Sequence, residues 1–277
     1  YPHLGLISIA THLKNKRPDI DLEIIDGSVT SIEDILDRVN GDVVGISVLT
    51  PTYNSGLKIA QKAKARGATT VLGNDHATNL YEQILSNRTE IDYVIAGDYG
   101  EIPFELLLQN LEGRLDMEKV PNVVYRKDGN VVANKGLRFD FPGVNLDSKG
   151  FMRFPMESSP IPDRALIEGQ EKYSENYIGD YGKFHDQEVK QTTINIARGC
   201  GWGESDKRRC SFCDIYDLTK RTVSPERAWE EARQLVDRGY NFLYEVCDDF
   251  SSFARGGSSY IKKLLKSKPS DLNPEWF

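Results

Sequence analysis

The chain has few cysteines and no long apolar segment. Only four of its 277 residues are cysteine, and none occurs before Cys200. A disulfide framework spread along the chain is therefore excluded, and three cysteines within 14 positions indicate a metal or cluster site instead. Apolar runs such as Val43–Ile46 are far shorter than the roughly 18 residues that a membrane helix needs, so no membrane association is expected.

The sequence also lacks a basic segment and an initial methionine. It has 35 Lys+Arg against 42 Asp+Glu, a net charge of −7, and its longest basic block is Lys207–Arg209. A nucleic-acid partner is therefore not expected. Because no signal-peptide pattern is present, we expect a cytoplasmic protein. The abrupt ends lead us to expect a piece of a longer chain.

Hydrophobic periodicity divides the chain into three parts. Over residues 1–115, strand-like runs alternate with segments of helical spacing, which predicts an α/β fold with a Rossmann-like, doubly wound parallel sheet. Residues 116–188 are expected to form a hairpin that turns at Asp128–Gly129, followed by a Pro-rich connector. Residues 189–277 read as strand, loop, helix, strand and helix, the start of a second parallel α/β domain. The expected strands of the first part are Asp21–Asp26, Asp42–Leu49, Thr69–Leu72 and Asp92–Ala96.

The strongest chemical signal is Cys200, followed after nine residues by Cys210-Ser-Phe-Cys213. The expected strand Thr193–Ala197 leads directly into this loop, which places it at a sheet edge where α/β proteins bind ligands. Three thiolates on one loop can bind three irons of a four-iron cluster and leave the fourth iron open. The alternative is a structural zinc site that includes Cys247, although a small buried core residue is the simpler interpretation of that cysteine.

This loop resembles that of the radical S-adenosylmethionine (SAM) enzymes, whose three cysteines are spaced x3 and then x2, with an aromatic residue before the last. Phe212 matches that aromatic position, whereas the gap after Cys200 is longer than the family's. The resemblance implies that Cys200, Cys210 and Cys213 bind a 4Fe-4S cluster with SAM at its open iron. It also implies that residues 189–277 are the first part of a partial (β/α) barrel.

The second expected strand of this part ends in Asp248 and Asp249. The resemblance implies that these carboxylates bind the SAM amino group through charge-assisted hydrogen bonds. The alternative is an acidic loop that caps the next helix.

The amino-terminal part resembles the cobalamin-binding domain that precedes many radical SAM enzymes. The similar segments follow the expected strands and would line one sheet edge, where glycines admit a planar ring and hydroxyls bind its amides. Ordinary strand-to-helix turn chemistry is the alternative. His76 lacks the Asp-x-His-x-x-Gly context of cobalt-binding histidines, so it is predicted to lie near the corrin without binding cobalt. The expected cofactor-binding residues are Ser47, Thr50, Thr52, Gly73, His76, Gly97, Gly100 and Glu101.

Together these features imply a radical SAM enzyme that uses a 4Fe-4S cluster, SAM and cobalamin for methyl transfer or a related radical reaction. Its substrate, a small molecule or a peptide, is not identified by the sequence. An electron donor such as flavodoxin or ferredoxin is the expected partner. The competing interpretation is a non-catalytic module that binds a corrinoid or another small molecule and carries a structural zinc–cysteine loop.

Overall fold

The computed structural model describes residues 2–138, 140–169, 172–173, 190–202, 210–213, 219–254, 259–272 and 275–276. The chain divides into two compact units. The first unit is Ser8–Phe154, and the second unit is Pro155–Phe277 together with Tyr1–Ile7. No helix in the described part of the chain is long and apolar enough to cross a membrane.

The unit of Ser8–Phe154 is built on a five-stranded sheet. The first three strands are parallel, with Val43 opposite Thr69 and Val71 opposite Tyr93, and the last two are antiparallel to their neighbours. The α/β fold with a parallel sheet is therefore confirmed. In sheet order the strands are β1 (Val43–Ser47), β2 (Thr69–Gly73), β3 (Tyr93–Ile95), β4 (Val123–Lys127) and β5 (Asn130–Ala133).

Helices cover both faces of this sheet. Consecutive residues of a strand point to opposite faces, so Leu72 packs in one core and Val71 in the other. The first core includes Leu57 and Ile84, and the second includes Leu107. The helices are α1 (Leu4–Lys16), α2 (Ile32–Arg38), α3 (Tyr53–Ala65), α4 (Asp75–Asn87) and α5 (Glu101–Leu111).

One expected strand of this sheet does not form, whereas the expected hairpin does. The strand expected at Asp21–Asp26 is wrong: the segment has the alternation of a strand, with Ile24 buried, but it belongs to no sheet ladder in this fully described stretch. The hairpin is confirmed, with Asp128 at φ +50° and Gly129 at φ +79°, the positive angles of a type I′ turn. Because β4 pairs with β3, the sheet extends beyond residue 115. A short antiparallel pair follows, β6 (Asn145–Leu146) with β7 (Met152–Arg153).

The second unit has a parallel three-stranded sheet in the order β12 (Glu275–Trp276), β11 (Phe242–Glu245) and β8 (Gln191–Ile194). Two helices connect its strands, α6 (Pro225–Asp237) and α7 (Tyr260–Lys266). The side chain of Ser224 accepts a hydrogen bond from Arg227 N at 3.3 Å and caps α6. Trp229 Nε1 donates to Leu264 O at 2.9 Å and ties the two helices together.

The connector before β8 is attached to this unit by a buried ion pair. Arg164 follows directly on Asp163, whose side chain accepts a hydrogen bond from Ala165 N at 3.0 Å. The Arg164 guanidinium lies 2.8 Å from Glu231 of α6, and donates to Thr193 O of β8 at 2.8 Å. Both charged side chains are almost fully buried.

Candidate functional site

A polar cluster lies where β1 and β2 end in the first unit. Thr50 Oγ1 and His76 Nδ1 are 3.0 Å apart, and the rings of Tyr53 and His76 lie 4.2 Å apart between centroids. Thr50 is exposed and His76 half-buried. Burial lowers the pKa of His76, so its imidazole is neutral near pH 7. The sheet edge thus presents a hydroxyl and an uncharged imidazole side by side.

The turns on either side of this cluster are held by their own side chains. Asn74 Nδ2 donates to Ser47 Oγ at 3.0 Å and joins the ends of β2 and β1. Leu49 N donates to Thr52 Oγ1 at 3.0 Å, so this hydroxyl stabilises the turn before α3. At Gly73, an added Cβ would meet only Ile95 O, at the ordinary contact distance of 3.8 Å. Ser47 and Thr52 are therefore engaged locally, and Gly73 adjoins open space.

Gly97 lies in a narrow turn after β3. Its φ is +92°, and an added Cβ would lie 3.3 Å from Asn122 Nδ2 and 3.5 Å from Phe151 Cβ. Its N–H donates to Thr78 Oγ1 at 3.1 Å. Glycine is therefore required here by the backbone and by the side chains around it.

Gly100 and Glu101 contact helix α1. A Cβ at Gly100 would lie 2.8 Å from Ile9 Cδ1. Ser8 Oγ donates to Glu101 Oε1 at 2.5 Å, and Gly100 N donates to Glu101 Oε2 at 3.1 Å. The Glu101 carboxylate is buried. This geometry accounts for both residues without a ligand, and their role in cofactor binding stays a prediction.

In the second unit, the base of the cysteine loop is closed by two short antiparallel strands. These are β9 (Ala197–Arg198) and β10 (Arg221–Thr222), with Arg198 opposite Arg221. Gly199 has φ +94°, and a Cβ there would lie 2.3 Å from Thr219 O. The entry and the exit of the loop are therefore in direct contact, which only glycine at position 199 permits.

The segment after β11 contacts the entry of the cysteine loop. Gly199 N donates to Asp248 Oδ2 at 3.2 Å, and Cys200 Sγ lies 3.9 Å from Asp249 Oδ2. The two aspartates and the first cysteine thus come together, as expected for strands whose carboxyl ends meet at one sheet edge.

The other two cysteines share one turn. Cys213 N donates to Cys210 O at 3.0 Å, and the Phe212 side chain between them is 89% exposed. Residues 203–209 of the long gap lie outside the described residues. Among the residues that are described, no group of three or more His, Cys, Asp or Glu could hold a metal ion. The structure therefore does not gather Cys200 with the other two thiols, and a metal site shared by the three cysteines stays a prediction.

Glu245 is the last residue of β11, and Cys247 lies two positions after it. Burial raises the pKa of Cys247 to about 11, and its Sγ lies 3.7 Å from Gly199 O. A thiol that stays protonated is a poor metal ligand, which favours its interpretation as a structural residue. Glu245 accepts a hydrogen bond from Ile196 N at 3.1 Å, and burial raises its pKa to about 8. It is therefore mostly uncharged at neutral pH.

Sequence reasoning missed four residues that shape these two sites. They share no motif, because each acts through a contact with a segment distant in the chain or with a neighbouring turn. Asn74 has a positive φ of +79°, and only its position after a strand hints at this in the sequence. The missed residues are Tyr53, Asn74, Thr219 and Ser252, whose hydroxyl accepts a hydrogen bond from Gly201 N at 3.2 Å.

Comparison with known proteins gives a family match for the first unit. Residues 1–108 match the family model described as B12 binding domain. Over 265 residues the chain is 25% identical to the anaerobic magnesium-protoporphyrin IX monomethyl ester cyclase of Rubrivivax gelatinosus. That alignment covers 93% of this chain and 42% of the cyclase. The chain thus spans less than half the length of this curated relative.

Solved structures share the fold over nearly the whole chain. The cobalamin-dependent SAM radical enzyme OxsB, with aqua-cobalamin and SAM bound, has a TM-score of 0.66 at 19% identity, over 98% of this chain and 35% of OxsB. The radical SAM methyltransferase TsrM from Kitasatospora setae has a TM-score of 0.64 at 16% identity, over 96% of this chain and 48% of TsrM. The resemblance inferred from the sequence is confirmed.

Proposed function

We propose that this chain is part of a cobalamin-dependent radical SAM enzyme. Residues 1–108 match the B12-binding domain family, and the whole chain resembles cobalamin-dependent radical SAM proteins. The observation that carries the proposal is the junction of two strand ends in the second unit. There, the Cys200 thiol lies beside Asp249 and the neighbouring Asp248 binds the loop backbone.

The edge of the first sheet has the properties that a corrinoid site needs. Thr50 and Thr52 are exposed hydroxyl residues, and Gly73 leaves room for a planar ring to approach the backbone. The neutral His76 is already bound through Nδ1 to Thr50. We assign Thr50, Thr52, Gly73 and His76 to the residues that would bind cobalamin.

The cysteine loop has the donor chemistry of an iron–sulfur cluster. Cys210 and Cys213 lie on one turn, and Cys200, which the structure does not gather with them, would be the third thiolate ligand. Asp248 and Asp249 supply negative charge for the SAM ammonium group. When bound, the cluster and SAM supply radical chemistry and cobalamin supplies methyl transfer. The chain's own residues bind and orient these groups.

The proposed reaction is methyl transfer or a related radical reaction, on a small-molecule or peptide substrate. A radical SAM cluster is active in its reduced form, so the proposal includes an electron donor such as flavodoxin or ferredoxin as a partner.

Anaerobic reconstitution with iron and sulfide, followed by addition of hydroxocobalamin and SAM, tests the proposal. We expect about four irons per chain, the broad visible absorption of a cluster, and stoichiometric cobalamin binding. Reductive cleavage of SAM by dithionite-reduced protein would follow. Tight zinc binding without iron uptake would instead favour the non-catalytic module, and failure to bind cobalamin would refute the role of the first unit.

A further inference from the structure

The entry of the cysteine loop is bound by side chains of β11 and of the segment that follows it. Glu245 accepts from Ile196 N at 3.1 Å, and Asp248 accepts from Gly199 N at 3.2 Å. Two residues that precede Cys200 are thereby connected to the end of β11 and its continuation. A backbone N–H that is buried needs such an acceptor, since leaving it unpaired is costly.

Ser252 completes this arrangement on the far side of the cysteine. Gly201 N donates to Ser252 Oγ at 3.2 Å, and Ser252 is itself buried. Ser252 Oγ in turn donates to Asp249 O at 2.8 Å, which fixes the direction of its lone pairs. A Cβ at Gly201 would lie 2.6 Å from Ser252 Cβ, so the two segments are in close contact.

We propose that Asp248 and Ser252 are positioning residues, which fix the backbone on either side of Cys200 so that its thiol is presented for metal binding. The inference rests on the proposed function for its purpose, but the two hydrogen bonds that it describes do not require a bound metal. The two N–H groups that they bind, of Gly199 and Gly201, immediately flank Cys200.

This role also explains how the loop tolerates its long first gap. A cluster-binding loop with nine residues between its first two cysteines costs more closure entropy than a short one, although the increase is only logarithmic. Fixing the first cysteine before metal binding removes part of that cost. The Gly199 contact with Thr219 O closes the base of the same loop.

The proposed role of Asp248 differs from binding of the SAM ammonium group, and the two can be separated by one pair of substitutions. Asp248→Asn removes the charge but keeps a carbonyl oxygen that can accept from Gly199 N. Asp248→Ala removes both. If Asp248 positions the loop, the Asn variant preserves the loop and the Ala variant does not, whatever happens to SAM affinity.

Amide hydrogen exchange, measured before iron is added, is the first test. The neighbouring Ser251 and Ser252 provide the control variant and one of the test variants. We expect Asp248→Ala to speed exchange at Gly199, and Ser252→Ala at Gly201, by about tenfold, the size of one hydrogen bond to a charged or buried group. Ser251→Ala is the control, because the Ser251 hydroxyl is exposed and donates to Asp249 Oδ1 at 2.7 Å. The alkylation rate of Cys200, followed by mass spectrometry, should change in Asp248→Ala and in Ser252→Ala.

Iron content and the electron paramagnetic resonance signal after reconstitution form the second test. Asp248→Ala and Ser252→Ala should lower the iron content or shift the g values, and Asp248→Asn should restore both. Unchanged exchange at Gly199 and Gly201 in the two alanine variants would overturn the inference. If wild-type chain takes up no iron, the proposed function fails, and the exchange and alkylation rates still decide whether the two residues fix the loop.

Discussion

The buried ion pair between Arg164 and Glu231 provides the sharpest test of how the connector is attached to the second unit. Arg164→Met removes the guanidinium and keeps much of the side-chain volume. Glu231 remains on α6 with only 4% of its surface exposed and without its cation. The carbonyl of Thr193 also loses its 2.8 Å donor. The variant therefore leaves the Glu231 carboxylate without a cation in a site that has little access to water.

The expected loss follows from the burial of both partners. Breaking a buried ion pair by removing one partner costs about 3–5 kcal/mol, because the remaining charge is uncompensated. That is a large share of the 5–15 kcal/mol, roughly, by which most domains are stable. Replacing both partners, as in Arg164→Met with Glu231→Met, removes the uncompensated charge and should recover most of the loss.

Urea denaturation, followed by tryptophan fluorescence and far-UV circular dichroism, measures these differences. The matched control is Arg233→Met, also in α6, which removes an exposed arginine that binds Asp271 at 2.8 Å. Its midpoint should change far less than that of Arg164→Met, since exposed pairs are screened by water. Equal midpoints for the two single variants, or no recovery in the double variant, would refute the reasoning.

Three further predictions concern the sites. Cys213→Ala should abolish iron uptake whereas Cys247→Ala should leave it near the wild-type level, and iron analysis showing the reverse would exchange their roles. His76→Ala should weaken cobalamin binding about fivefold, the size of one neutral hydrogen bond, and leave the Co(II) resonance unchanged; triplet splitting of the wild-type cobalt lines that the variant lacks would make His76 a ligand. Burial raises the pKa of Glu245 from 4.5 to about 8, so its contribution to stability is fully present below pH 4.5 and is lost as the pH rises through about 8. Glu245→Gln should flatten this decline in urea midpoint, and an equally steep decline in that variant would assign the effect to another group.

Much of the fold follows from local sequence. The apolar run at β1 and the alternation of strands with helical segments predicted the parallel sheet, because strands covered by helices are largely apolar. The structure places β1 at the edge of that sheet, where Ile46 is its one buried residue. The Asp128–Gly129 pair predicted its turn, because both residues tolerate positive φ. The segment Asp21–Asp26 misled for a physical reason: its alternation of buried and exposed residues satisfies packing, but alternation alone does not provide a pairing strand.

The sequence by itself determined which chemical groups the sites contain. The spacing of Cys210 and Cys213 placed both thiols on one turn, and the position of Asp248 after a strand placed it at the edge where the cysteine loop begins. Such relations follow from the geometry of a turn and from the rule that parallel strands end together.

Only the tertiary structure decided what those groups contact. Glu101 and Asp248 are both carboxylates that follow a strand, yet the first binds Ser8 of α1 and the second binds the backbone of the cysteine loop. Ser252 lies 51 positions from Gly201, and nothing in either local sequence indicates their contact. Side-chain partners of this kind depend on how separate elements pack, a property of the folded chain that neither periodicity nor motif spacing contains.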